Sequence, residues 1–546
     1  MEAGAMQQTR MEKKNYGKKF FSDVAVLAVS TFIVKLIGMI YKIPMMAYLG
    51  AEGMGYYNSA YEIYSIFFVI STTGLPVAVS ILVSENQTKG HIKNVNKIFR
   101  VSMVLIGIIG LVGTLFMGIL HGRLANLINN DPASYCILAI SPTLFMICLT
   151  GVIRGYFQGH QIMKPTAISQ IIEALGKLLL GLLFATVAIK KGYPTPQVAA
   201  FAVLGVTLGV AVSLLYLTLC KLIKKSEKSS GAELLQADSS RSISKSLLTI
   251  AIPITLSSLI LSLTKLIDMS MILIRLGDIS YTQAQANAIY GAYSTMAVSI
   301  YNLPSTLIAT IALPLVPTLT STIEQKDTVA QKSIIKTAMK LTGLIALPAS
   351  LGIAVFSKPI LTLLFSSQTA EIEYTAPLLS ILALSVFLSS MITTTNAILQ
   401  AYKLVKKPII SMAFGTAVKL AMAFWLIGIP QINIYGAPIS TFFSTLVIVS
   451  LNMYFIIKEI GSFSSVFSLF GRSFIAALIS MAAGIGLFAL LGSAVSTSIS
   501  VLIAIATVVL LYAILSLKLK AIEREEILML PRGEAILQML TKTHII

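Results

Sequence analysis

Five lysines, Lys35, Lys42, Lys177, Lys265 and Lys419, stand inside long apolar runs of this 546-residue chain. A lysine at the centre of a bilayer costs about 2.5–3.5 kcal/mol on insertion scales, so such a side chain faces protein or a watery cavity. Lys35 and Lys42 are about two turns apart on one face of a helix. Three carboxylates, Glu62, Glu173 and Asp268, occupy similar apolar surroundings, which leaves a cavity lined by all eight cationic by two charges. Clustered ammonium groups bind anions, and phosphate suits them because its oxygens accept charge-assisted hydrogen bonds. The spacing also allows a second outcome. Glu173 and Lys177 are i,i+4, and Lys265 and Asp268 are i,i+3, so both pairs can close locally as ion pairs. Arg154 and Arg275 sit at helix ends, where snorkelling to the interface is the default. Arg275 shares a helix face with Asp268, which keeps it a candidate for the mouth of the cavity.

Other chemistries lack the residues they need. Cys136, Cys148 and Cys220 lie in or at the end of apolar segments without metal-ligand spacing, and read as packing residues. His91, His121, His160 and His544 are scattered, none beside a Ser, Cys or Asp in a catalytic pattern. The expectation is no catalytic residue, no bound metal and no enzyme.

The elements that must carry the lysines are membrane helices. With 56% apolar and 12% charged residues, the chain is far from the roughly 25% charge of soluble domains. Fourteen apolar segments are long enough to cross a bilayer, from 22–46 and 58–83 at the start to 472–491 and 496–517 at the end. The first is retained, with no small-residue cleavage motif after it. If the amino terminus is cytoplasmic, 31 of the 41 Lys and Arg fall on that side and five (Arg123, Lys190, Lys191, Arg275 and Lys358) on the other. The positive-inside rule then puts both termini in the cytoplasm. That topology also accounts for most of the formal charge of +19 and removes nucleic acid as a partner.

The segments repeat. Gln158 and Lys177 are separated by 19 residues, as are Gln400 and Lys419, and Val34-Lys35-Leu36-Ile37-Gly38-Met39 resembles Thr264-Lys265-Leu266-Ile267-Asp268-Met269. The expected organisation is a cytoplasmic segment 1–21, a six-helix bundle 22–220, a cytoplasmic linker 221–246, a second bundle 247–457, two further helices 472–517 and a cytoplasmic tail 518–546. An even number of helices per repeat gives parallel copies related by an axis along the membrane normal. Lys35 then matches Lys265, and Lys177 matches Lys419, across that axis. Pro76 and Pro314 lie in equivalent helices and are candidates for paired hinges, ordinary membrane-helix kinks being the equal alternative. Tyr56, Tyr57, Tyr61 and Tyr64 read mainly as an interfacial belt, with sugar stacking as the second reading.

Two stretches, Leu49-Gly50-Ala51-Glu52-Gly53-Met54-Gly55-Tyr56-Tyr57-Asn58 and Arg154-Gly155-Tyr156-Phe157-Gln158-Gly159 with Met163-Lys164-Pro165-Thr166-Ala167-Ile168-Ser169-Gln170, resemble the polysaccharide-transporter branch of the multidrug/oligosaccharidyl-lipid/polysaccharide flippase superfamily. Within it the chain is similar to the Gram-positive group containing the stage V sporulation protein B and the lipid II flippases. The resemblance implies an all-α polytopic plasma-membrane protein that works by alternating access of two bundles. Its substrate would be a polyprenyl-diphosphate-linked saccharide, lipid II first, moved to the outer leaflet. A capsular, teichoic or spore-specific precursor is the alternative, and a cation-coupled drug exporter on the same fold is the rival that a cationic cavity disfavours. The resemblance also implies membrane lipids and the lipid-linked saccharide as partners, a monomer, no organic cofactor, and coupling to Na+, H+ or the membrane potential. Asp268 could supply the member of a sodium site from the seventh apolar segment, 247–275, whereas the eleventh, 408–429, offers Lys419 instead of an acid.

Overall fold

The computed structural model describes residues 2–223, 238–461, 465–492 and 495–521, and every regular element among them is helical. Most of the linker 221–246 and of the tail 518–546 lies outside the described residues. Eleven spans among the described residues are long and apolar enough to cross a membrane. Helices of this length satisfy their own backbone groups along the span, and this is a polytopic membrane architecture.

Packing divides the chain into two units, the first comprising Met1–Ile274 with Thr282–Gly291 and the second the remainder. The first contains α1 (Glu2–Val69), α2 (Leu75–Thr88), α3 (Ile92–Ile119), α4 (His121–Leu127), α5 (Ser134–Ile140), α6 (Thr143–Gly159), α7 (Lys164–Lys190), α8 (Thr195–Ile223), and most of α9 (Ser240–Asp278) and α10 (Gln283–Ala292). The second contains α11 (Val298–Glu324), α12 (Thr328–Val355), α13 (Ser357–Leu364), α14 (Thr369–Ala401), α15 (Lys406–Ile427), α16 (Gly436–Ile460), α17 (Val466–Leu491) and α18 (Thr497–Lys518). The sequence division assigned 247–457 to the second bundle, but α9 packs on the first unit as far as Ile274. Small residues make this possible. Ile243, Leu247 and Ala251 are buried in one core with Leu75, Val79, Val95 and Ile98, and Gly74 leaves just enough room for the Ala251 carbonyl and the Thr255 side chain.

Apolar residues surround most of these helices, so hydrophobicity alone does not choose their faces. Glycines do. Gly176 of α7 meets Gly209 of α8 backbone to backbone, and Gly181 meets Gly205 in the same way. Gly50 breaks α1, with φ 65° and ψ −179°, a conformation only glycine adopts without strain. The two limbs then turn back side by side. Tyr41 and Tyr57 have ring centroids 6.1 Å apart, whereas sixteen residues of straight helix would separate them by about 24 Å.

A π turn, Ile70–Gly74, immediately precedes α2 and Pro76. A second, Tyr293–Ala297, leads into α11. The distortion of the apolar segment 289–318 is thus well before Pro314, through which α11 runs as continuous helix; the Pro314 side chain lies outside the described residues. Such π turns relieve or redirect a helix without proline. In the second unit, buried polar groups pair across helices. Thr342 and Thr394 share a 2.6 Å hydrogen bond, and Asn452 Nδ2 donates to Asn396 Oδ1 at 2.8 Å and Thr395 Oγ1 at 3.0 Å.

Candidate functional site

Lys42 stands on the first limb of α1, Glu62 on the second, and Lys265 on α9, and the three are electrostatic neighbours. Lys35, two turns before Lys42, lies near Lys265, and Asp268 lies near Glu62. The fold-back at Gly50 puts Lys42 and Glu62 together although twenty residues separate them, and the packing of α9 on the first unit adds Lys265. Lys35 and Lys265 are exposed, and Lys42, Glu62 and Asp268 are partly buried.

Lys177 on α7 extends the group. Its Nζ lies 4.6 Å from the ring centroid of Tyr61, 5.0 Å from that of Tyr41 and 5.6 Å from that of Tyr57. Tyr57 and Tyr61 are stacked with only 9° between their planes. Tyr56, Tyr57 and Tyr64 are each 2% exposed, so these rings form the interior of the unit and not an interfacial belt. Tyr56 donates its hydroxyl hydrogen to Glu52 Oε1 at 2.6 Å. Tyr41 carries an equal part in the arrangement and was not legible as a functional residue; it is simply the neighbour of Lys42 in the sequence.

The local pairing suggested for Glu173 and Lys177 is not the one formed. Arg154, on α6, donates from Nη2 to Glu173 Oε2 at 2.9 Å and from Nε to Ser169 Oγ at 2.9 Å. A longer contact of 3.3 Å reaches Ser213 Oγ on α8. Arg154 therefore ties α6, α7 and α8 together with a side chain only 12% exposed, and does not snorkel. The reason is geometric, since a planar guanidinium satisfies a carboxylate and two hydroxyls at once and an ammonium does not.

Arg275 also departs from the sequence expectation. It pairs with Asp278, donates from Nε to the Phe424 carbonyl at 2.9 Å and lies 4.3 Å from the Phe424 ring centroid. These contacts belong to the second unit and staple the end of α9 to α15. Lys419 is on α15, within the second unit. Lys340, counted from sequence among the loop charges, is 7% exposed on α12. Its place six residues into an apolar segment was the available signal.

Of the candidates singled out from the sequence, Lys35, Lys42, Lys177, Lys265 and Arg154 thus fall in the first unit with the carboxylates Glu62, Glu173 and Asp268, and Glu52, beside the Gly50 break, is a fourth carboxylate of the same span and accepts from Tyr56. Among the described residues no three His, Cys, Asp or Glu side chains converge as metal ligands.

At the Gly50 end of the unit a polar contact closes α10 onto this group of helices. Asn130 Nδ2 donates to Asn287 Oδ1 at 2.7 Å and to Ser59 Oγ at 3.0 Å, and Asn287 Nδ2 returns a bond to Asn130 Oδ1 at 3.0 Å. Both asparagines are fully buried. At the other end, Asn94 Nδ2 donates to Asn86 Oδ1 and Asp238 Oδ2, each at 2.7 Å, fixing the approach to α9 against α2 and α3.

Among characterised proteins, the stage V sporulation protein B of Bacillus subtilis (strain 168) is 26% identical over 422 residues, spanning 77% of this chain and 80% of that protein. The lipid II flippase MurJ of the same organism is 27% identical over 449 residues, spanning 78% of this chain and 80% of that one. A solved structure of lipid II flippase MurJ in an inward closed conformation superposes with a TM-score of 0.68, covering 90% of this chain and 98% of its own, at 16% identity. The profile of one family, described as polysaccharide biosynthesis protein, matches residues 20–323, more than half of the chain, and the protein belongs to that family.

Proposed function

We propose that this protein is a flippase for a polyprenyl-diphosphate-linked saccharide, with the peptidoglycan precursor lipid II as substrate, moving it from the inner to the outer leaflet of the plasma membrane. The observation that carries this reading is the excess of cationic over carboxylate side chains within the first unit. The two Bacillus subtilis relatives support the same reading. A diphosphate is the part of such a lipid that cannot cross hydrocarbon unaided. Lys42 and Lys265, neighbours across the α1 fold and α9, are positioned to share it, with Lys35 beside them. Glu62 keeps the empty site from accumulating uncompensated charge. Arg154 is committed to Glu173 and contributes shape to the wall instead of a ligand. A cationic drug finds no counter-charge surplus here.

The deciding experiment is depletion of the protein followed by mass spectrometry of lipid-linked intermediates. Lipid II is expected to accumulate on the inner leaflet. Accumulation of a teichoic, capsular or spore-specific precursor instead would move the assignment within the same class, and no accumulation of any would remove it. Substituting Lys42→Gln or Lys265→Gln takes away one charge-assisted contact of about 1.5–3 kcal/mol, so transport at low substrate should fall about 10- to 100-fold with normal membrane insertion.

The driving force follows from the charge moved. With both termini cytoplasmic, a negative headgroup travels outward in an inside-negative field worth about 2.3 kcal/mol per charge per 100 mV. Whether the headgroup carries the charge out or the emptied lysines carry positive charge back, one cycle moves the same net charge. An imposed inside-negative potential should accelerate flipping in proteoliposomes, and a rate indifferent to potential would exclude this driving force. Sodium or proton dependence at fixed potential separates ion coupling from it.

A further inference from the structure

Lys177 is a cation held by aromatic faces. The carboxylate four residues before it on α7, Glu173, is taken by Arg154 at 2.9 Å, and Lys177 has no carboxylate within ion-pair distance among the described residues. Three tyrosine rings from the two limbs of α1 stand around the ammonium at 4.6, 5.0 and 5.6 Å. Tyr41 and Tyr57 are 1% and 2% exposed, so the rings are fixed in the interior. A Cβ added at Gly181 would sit 3.0 Å from the Tyr41 hydroxyl, so Tyr41 lies directly against α7, the helix that carries Lys177, where only a glycine leaves it room. Several ring faces around one desolvated ammonium is how aromatic cages recognise ammonium ligands.

The geometry points to a monovalent-cation site, formed by Tyr41, Tyr57 and Tyr61 and selective for a primary ammonium, whose occupant in this structure is the chain's own Lys177. The cage holds the Lys177 amino group beside the Lys42 and Glu62 neighbourhood without an ion-pair partner of its own among the described residues. The four-carbon stem of lysine lets the charge leave the rings when an anion enters, and a free ammonium-sized cation then fits the vacated faces. Lys177 acts as a tethered ligand of the cage in this state, a positioning residue and not a contact to substrate.

The test uses the purified full chain and methylammonium chloride as the probe, with sodium chloride at equal ionic strength as control. Lys177→Ala empties the cage. Methylammonium is expected to raise its melting temperature saturably, by about 1–3 °C, the shift that a cation–π contact of this kind gives in a chain of this size. The parent, whose cage is filled, and Lys177→Met, whose side chain fills it without charge, should not respond. No response in Lys177→Ala, or equal responses in all three proteins, overturns the assignment. Should Lys177→Ala fail to fold, a double-mutant cycle replaces it: Tyr61→Leu should lower the melting temperature of the parent more than that of Lys177→Met, and strictly additive losses overturn the cage. Both readouts are binding and stability, so the result stands whether or not the protein flips lipid II.

Discussion

Gly55→Val should leave a protein that is made, inserted and folded, yet flips its lipid at least tenfold more slowly than the parent. A Cβ at Gly55 would fall on the backbone of Asn287, 2.8 Å from its carbonyl carbon and 3.0 Å from its Cα, and one at Gly291 would meet the Ala51 carbonyl and lie 2.6 Å from the Gly55 nitrogen. No flexible side chain is available to give way, so α10 must move off α1. That movement pulls apart the reciprocal amide pair of Asn130 and Asn287, and each fully buried amide left unpaired costs about 1–3 kcal/mol. A carrier that depends on closing this end loses the closed state by a comparable factor, since a difference of 1.4 kcal/mol shifts a population about tenfold. Gly38→Ala is the matched control, for nothing lies within 4 Å of a Cβ there. Ala286→Cys, at a buried α10 position that leaves the amide pair intact, in a Cys220→Ser background, reports the movement directly: a membrane-impermeant maleimide should label it only when Gly55→Val is also present. Parent-like flipping by Gly55→Val would show that this contact does not open and close during transport.

The parts of this architecture that sequence reveals are those fixed by local chemistry. Apolar length marks the membrane segments, and the Leu49 to Asn58 run, with three glycines in seven residues, contains the Gly50 break that folds α1 on itself. The lysines stand out because charge inside hydrocarbon is costly wherever it occurs. What sequence did not reveal depends on which helix stands next to which. The i,i+4 rule offered Lys177 to Glu173, but Arg154 reaches that carboxylate from another helix and brings Ser169 and Ser213 with it. The repeat placed α9 with the later helices because repeats follow chain order, whereas packing follows small residues such as Gly74 and Ala251. Tyr57, Tyr61 and Tyr64 do share a face at helical spacing, a pattern equally compatible with an interfacial belt. Only the fold-back that adds Tyr41 and the approach of α7 turn it into a cage.

Those same contacts set an order on two substitutions. Glu173→Gln should destabilise more than Arg154→Met, although each removes one half of the same ion pair. Breaking a buried pair from one side costs about 3–5 kcal/mol because the remaining charge keeps its desolvation without its partner. After Glu173→Gln the guanidinium of Arg154, 12% exposed, is left with the hydroxyls of Ser169 and Ser213. After Arg154→Met the stranded group is Glu173, which is 25% exposed and has Lys177 one turn further along α7. Lys177 can leave the tyrosine rings and take over the carboxylate, since i,i+4 is the favourable order for a Glu followed by a Lys. Melting temperatures of the purified chain should therefore fall by about 3–10 °C for Glu173→Gln, taking about 1–2 °C per kcal/mol for a chain of this length, and by less for Arg154→Met. The double substitution Arg154→Met with Glu173→Met should recover much of the loss, because a well-packed apolar pair carries no uncompensated charge. Adding Lys177→Met to Arg154→Met should abolish the advantage of that variant. Equal losses for Glu173→Gln and Arg154→Met, or a double whose loss is the sum of those of Arg154→Met and Glu173→Met made singly, would mean that the pair is not coupled and that Lys177 does not exchange between the rings and the carboxylate.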